Sequence, residues 1–93
     1  EFYRYLQLKE MEERGEIKSL ARQKKFELIP SQRKNGKCVE RSCNYIADFV
    51  YFDSNNKLVV EDVKGYRDSK AYDIFVIKRK LMLFIHQIQI QEI

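Results

Sequence analysis

The chain is poor in the residues that several kinds of site chemistry require. With a single His and two Cys that form no close pair, zinc has no ligand set, because zinc sites draw on clustered thiolates and imidazoles. Any metal here has to be held by oxygen ligands. Cys38 and Cys43 are an odd number of positions apart, which sends them to opposite faces of any one strand and disfavours a disulfide between them. Free thiols fit a reducing compartment. No apolar run approaches the roughly 18 residues that cross a bilayer, and no signal-peptide profile, internal repeat, low-complexity segment or linker is present. A soluble, intracellular protein is expected.

At 93 residues there is material for one modest core, so residues 1–93 are expected to form a single domain. The chain opens at Glu1 without a Met and already in a helix-like pattern, which leads us to expect that the native N-terminus is truncated here. Lys and Arg outnumber Asp and Glu by 18 to 14. That mild excess suits a polyanionic partner but is also common in proteins without one.

Residues 1–14 are rich in Glu, Leu, Lys, Arg and Met and lack Gly and Pro, with Gly15 as a helix stop. "GEIKSLARQ" reads as a short connection, "QKKFELIP" (23–30) as a strand ended by Pro30, and "SQRKNGK" (31–37) as a polar loop. A long strand follows over about 39–52, rich in aromatic and β-branched residues, and pairs with 57–64 across a short turn. After "GYRDSK" (65–70), Ile74, Ile77, Leu81 and Ile85 recur at helical spacing, which predicts a helix over 71–86 with one apolar stripe. The tail 88–93 alternates apolar and polar residues and reads as a last, half-exposed strand. The predicted order is helix, three strands, helix, strand.

The two arms "YIADFVYF" (45–52) and "KLVVEDVKG" (57–65) hold charges where burial would favour Val or Ile. A three-residue loop, Ser54 to Asn56, sets every opposed pair to a sum of 110, so Asp48 faces Asp62. Strand alternation puts Ile46, Asp48, Val50 and Phe52 on one face with Leu58, Val60, Asp62 and Lys64. Tyr45, Ala47, Phe49 and Tyr51 share the other face with Val59, Glu61 and Val63. Opposed carboxylates with Cβ atoms about 5 Å apart repel. Sharing a proton, neutralisation by Lys64, or joint binding of a divalent cation would each relieve that repulsion. The last accounts for all three charged residues, and two carboxylates and a Lys beside hydrated Mg²⁺ are the components of phosphodiester hydrolysis. A structural ion pair between Lys64 and one Asp is the simpler alternative.

These residues carry a resemblance. Asp48 after Tyr45-Ile46-Ala47, then a hairpin, then Asp62-Val63-Lys64-Gly65, resembles the PD-(D/E)XK nuclease superfamily over nearly the whole chain. "GEIKSLARQKKFELIP", "YIADFVYFD" and "VVEDVKG" before a Lys-rich helix are similar to a family of small phage-encoded proteins assigned to it. Ala47 stands where the superfamily's name-giving Pro would be. The resemblance implies an α/β (α+β), restriction-endonuclease-like αβββαβ core, with a central mixed four-stranded sheet flanked by helices. It also implies a Mg²⁺- or Mn²⁺-dependent DNA endonuclease of phage or prophage DNA processing, in the cytoplasm of a bacterial host. Asp48 and Asp62 would be metal ligands, Lys64 the catalytic lysine, and Glu1, at the head of the first helix above Tyr5 and Leu8, the acid that completes the shell.

Around this site, Gln23 falls where related nucleases carry a Gln at the start of the first strand. Lys78 shares the predicted stripe of the second helix and is positioned to reach a phosphate, while Arg67 and Lys70 follow the DVKG segment, where substrate contacts would form. Lys34, with Arg33 and Lys37, makes a basic loop suited to the DNA backbone. Glu61 points to the opposite face and reads as structural. A homodimer, as in a junction resolvase, would let so small a chain cut both strands. The competing expectation is a catalytically inactive nuclease-fold module that binds DNA or a protein partner.

Overall fold

The chain is seen here as a computed structural model that describes residues 1–64 and 69–93. The uninterrupted helix formers at the start build α1 (Phe2–Glu13), and Gly15 ends it with a φ of 77°, the left-handed conformation that glycine adopts without strain. β1 runs from Lys18 to Ile29, so it begins five residues before the expected strand at 23. It is an edge strand whose first half is almost wholly exposed. Without one buried face it has no alternation for a sequence reading to find.

The expected loop over 31–37 is instead the turn of a small hairpin, β2 (Gln32–Lys34) with β3 (Lys37–Glu40). Asn35 and Gly36 supply the two positive φ angles, 54° and 78°, of a two-residue turn between strands. All residues of both strands are exposed, so the hairpin stands as an arm rather than as part of the core. β4 (Cys43–Phe52) and β5 (Leu58–Asp62) pair antiparallel through Phe49↔Glu61, Val50↔Val60, Tyr51↔Val59 and Phe52↔Leu58, the register that the three-residue loop requires. Asp53 closes that loop, its Oδ1 accepting from the amides of Asn55 and Lys57, both at 2.9 Å.

The second helix, α2 (Lys70–Leu81), starts at Ser69, whose hydroxyl oxygen accepts from the Tyr72 amide at 3.2 Å. It passes into a π-helical turn, Met82–His86, that ends with Gln87 in the left-handed region. The final strand, β6 (Gln91–Glu92), is shorter than the expected 88–93 and lies parallel to β5. The result is a mixed four-stranded sheet, ordered β1-β4-β5-β6, in an α+β protein with two α-helices among the described residues.

Two apolar clusters flank this sheet. Leu8 of α1 packs with Ile17, Phe49 and Tyr51, while Phe75 and Met82 pack with Leu28, Tyr45, Ala47, Val50, Val60 and Ile90. The expected face assignment of β4 therefore fails halfway. Tyr45 and Ala47 belong with the α2 cluster, but Phe49 and Tyr51, two and four residues on, belong with α1. β1 reverses at the same level: Leu20 and Arg22 meet the α1 side, Phe26 and Leu28 the α2 side. Between the flanking pairs Arg22↔Phe49 and Lys24↔Ala47 sits Gln23, with a φ of 54°. One residue in the left-handed region turns the strand over, so the strict period of two breaks there.

The predicted stripe of α2 is corrected too. The core takes Phe75 and Met82, with Tyr72 and, as expected, Leu81 half-buried against it, whereas Ile74, Ile77 and Ile85 face outward.

Candidate active site

Asp48 lies one step beyond the last paired residues of β4 and β5, where the same register sets it opposite Asp62. Its Oδ2 accepts the Val63 amide at 2.8 Å. Burial pushes the Asp48 carboxyl above the usual range; the Val63 amide opposes this, and the nearby charges of Asp62 and Glu1 add to the rise. Asp62 is buried with both oxygens engaged: Oδ2 accepts from the Tyr45 hydroxyl at 2.5 Å, and Oδ1 lies 2.8 Å from Lys64 Nζ. The same ammonium sits 3.8 Å from the centre of the Phe75 ring, a cation–π contact that holds it over the α2 side of the sheet. The Tyr45 phenol is pushed well above its ordinary value by burial and by its bond to Asp62, which keeps it a donor.

Glu1 is the N-cap of α1. Gln23 Nε2 donates to Glu1 Oε1 at 3.2 Å, and Arg22 Nη2 lies 3.8 Å from the same oxygen. The left-handed turn at Gln23 is thus also the point where β1 meets the acidic end, in the middle of the strand rather than at its start. The expected shell of Asp48, Asp62 and Glu1 is not assembled: among the described residues no three acidic, His or Cys side chains form a metal-holding group. Glu1 spends its oxygen on Gln23 and Arg22, but its charge still reaches Asp48.

Asp62 and Lys64 open into a depression of about 260 Å³ lined also by Asn44, Tyr45, Ile46, Ile74, Phe75 and Lys78. Lys78 therefore stands beside the candidate site. Asn44 Oδ1 is buried there without a donor among the described residues. Lys70 is exposed at the start of α2, and Lys34 is exposed on the β2–β3 arm, so neither lines the depression. Arg67 lies outside the described residues.

Glu61, next to Asp62 in sequence, has the opposite environment. It is 1% exposed on the α1 side. Arg4 grips it with two nitrogens, Nε to Oε1 at 2.8 Å and Nη2 to Oε2 at 2.6 Å, and the Tyr51 hydroxyl donates to Oε2. A carboxylate held by a forked guanidinium and a phenol is a structural anchor between α1 and the sheet. Arg4 and Tyr45 escaped the sequence reading. A signal existed for Arg4, four residues before the fully buried Leu8 and so on the same helix face. None existed for Tyr45, which strict alternation assigns to the face away from Asp62.

Taken together, the mixed sheet, two flanking helices and a sheet-end pair of aspartates with one lysine define a small α+β protein with an acidic site on a central hairpin. Residues 1–91 match the family described as "Protein of unknown function (DUF1064)", and the chain belongs to that family. Neither the curated proteins nor the solved structures hold a match to it. No helix among the described residues is long and apolar enough to cross a membrane.

Proposed function

We propose that this chain is a metal-dependent DNA endonuclease of the PD-(D/E)XK type, with Asp48 and Asp62 holding Mg²⁺ or Mn²⁺ and Lys64 acting on the scissile phosphate. The observation that carries this reading is the convergence of Asp48, Asp62 and Lys64, with Glu1 adding negative charge that raises the Asp48 carboxyl. Like charges gathered on a half-buried sheet end favour a cation between them. The donor set fits Mg²⁺, which is commonly bound by one or two carboxylates with waters and substrate phosphates completing its shell, so a third protein acid is not required. Tyr45 and Lys64 occupy one lone pair on each Asp62 oxygen and leave another free.

When bound, the metal would supply an activated water and charge neutralisation at the phosphate. The remaining work falls to the chain. Val63 N–H aims Asp48, Tyr45 O–H aims Asp62, and the Lys64 ammonium, held over Phe75, is placed to stabilise negative charge developing on the phosphate oxygens. Lys78, on the rim of the same depression, would contact the neighbouring backbone phosphate. Phage or prophage DNA processing in a bacterial cytoplasm is the setting this activity suits.

A second reading is favoured by one observation: Lys64 and Tyr45 already satisfy Asp62 within the protein. On that reading the fold binds DNA or a partner without turnover. The two separate on supercoiled, single-stranded and four-way-junction DNA, with and without Mg²⁺ or Mn²⁺. The nuclease reading expects metal-dependent nicking that Asp48→Asn and Asp62→Asn abolish, together with loss of the metal-induced rise in melting temperature. Binding of every substrate with no cleavage, or variants that cut as well as the parent, would overturn it.

A further inference from the structure

We propose that the outward face of α2 pairs with the same face of a second copy of this chain, antiparallel about a twofold axis near Ile77. At 100° per residue, α2 has two apolar faces. Tyr72, Phe75 and Met82 turn to the core, with Leu81 half-buried against it, and Ile74, Ile77 and Ile85 face outward. Ile74 and Ile77 are 56% and 60% exposed, and Phe84 in the π-helical turn is 84% exposed. Apolar side chains spaced three and four apart form the seam by which helices pack on one another, and a continuous exposed strip of them marks an interaction surface.

The charges beside the strip select the occupant. Asp73 and Lys80 lie seven residues apart on one edge of the seam, both exposed and in no ion pair among the described residues. A twofold axis at Ile77 sets each residue opposite the one whose number makes a sum near 154. Asp73 then meets the partner's Lys80 twice over, the exposed Ile77 packs on its own counterpart with Ile74 beside it, and Lys70 reaches the partner's exposed Phe84 ring. The apolar, ionic and cation–π matches all fall in one register, which a surface built for an unrelated partner has no reason to show. Ile74 and Lys78 also line the depression that holds Asp62 and Lys64, so the pairing brings two candidate sites to the edges of one helix pair.

The test uses the full chain without DNA or metal, so its outcome is independent of the nuclease reading. Sedimentation equilibrium from micromolar to millimolar concentration is expected to give a monomer–dimer equilibrium. Ile77→Glu should weaken it roughly a hundredfold with circular dichroism and melting temperature of the monomer unchanged, as expected for an exposed position. Asp73→Lys and Lys80→Asp should each weaken it roughly threefold to tenfold, and the double reversal should restore it. A monomer throughout, a dimer indifferent to Ile77→Glu, or single reversals that the double does not rescue would overturn the proposal.

Discussion

Arg4→Met tests the division of labour between the two adjacent acids of β5. The substitution keeps most of the apolar stem of Arg4 and removes the guanidinium that grips Glu61 through two nitrogens at 2.8 and 2.6 Å. Side-chain exposure is 23% for Arg4 and 2% for Glu61, so nearly all of the desolvation burden lies on the acid that stays behind. Hydrogen bonds to a charged partner contribute about 1.5–3 kcal/mol each. Two of them, lost from a carboxylate left with Tyr51 alone, imply a loss of about 3–5 kcal/mol, the range found when one partner of a buried pair is deleted. At about 4–8 °C per kcal/mol for a domain of this size, the melting midpoint should fall by some tens of degrees. Replacing both partners, Arg4→Met with Glu61→Leu, leaves no orphaned charge and should recover most of the loss. Urea and thermal unfolding measure both variants. A loss under about 1 kcal/mol, the range of surface pairs, or a double variant no better than the single one, would refute the view of Glu61 as a buried anchor.

Two further outcomes concern the site. Burial holds the Asp48 carboxyl above its ordinary 3.8, so the native chain binds more protons than the unfolded chain between that value and the raised one; stability falls as pH rises through this window, and the penalty is complete above it. Asp48→Asn, whose side-chain oxygen can still take the Val63 amide, should therefore raise the melting temperature at pH 7 and leave it unchanged at pH values below both; a lowered value at pH 7 would sink this account. Under the nuclease reading, Lys64→Met should cut the turnover rate by roughly a hundredfold or more with little change in KM, and single-turnover kinetics showing an undiminished rate would remove Lys64 from the chemistry.

The hairpin around the candidate site was legible because its signals are local. A turn of fixed length sets the register, and register alone makes Asp48 and Asp62 neighbours. Glu61 was legible for the same reason, since adjacent strand residues point apart. The β2–β3 arm carries its own signal in Asn35-Gly36, set among Lys and Arg that read as a polar loop. The Ile stripe of α2 has the stronger periodicity in sequence, while the core against the sheet takes Phe75 and Met82 instead.

The sequence by itself determined the order of most elements and the pairing of β4 with β5, because these follow from residue type and short-range periodicity. Tertiary structure decided which side of the sheet each half of β4 faces, since Tyr45 and Ala47 pack on the α2 side and Phe49 and Tyr51 on the α1 side, a break in a pattern that period-two counting takes as unbroken. It also decided that Tyr45 and Lys64 hold Asp62, that Arg4 holds Glu61, and that Glu1 turns to Gln23. Such partners come from distant parts of the chain. Only the packed sheet and helices bring them within hydrogen-bonding reach.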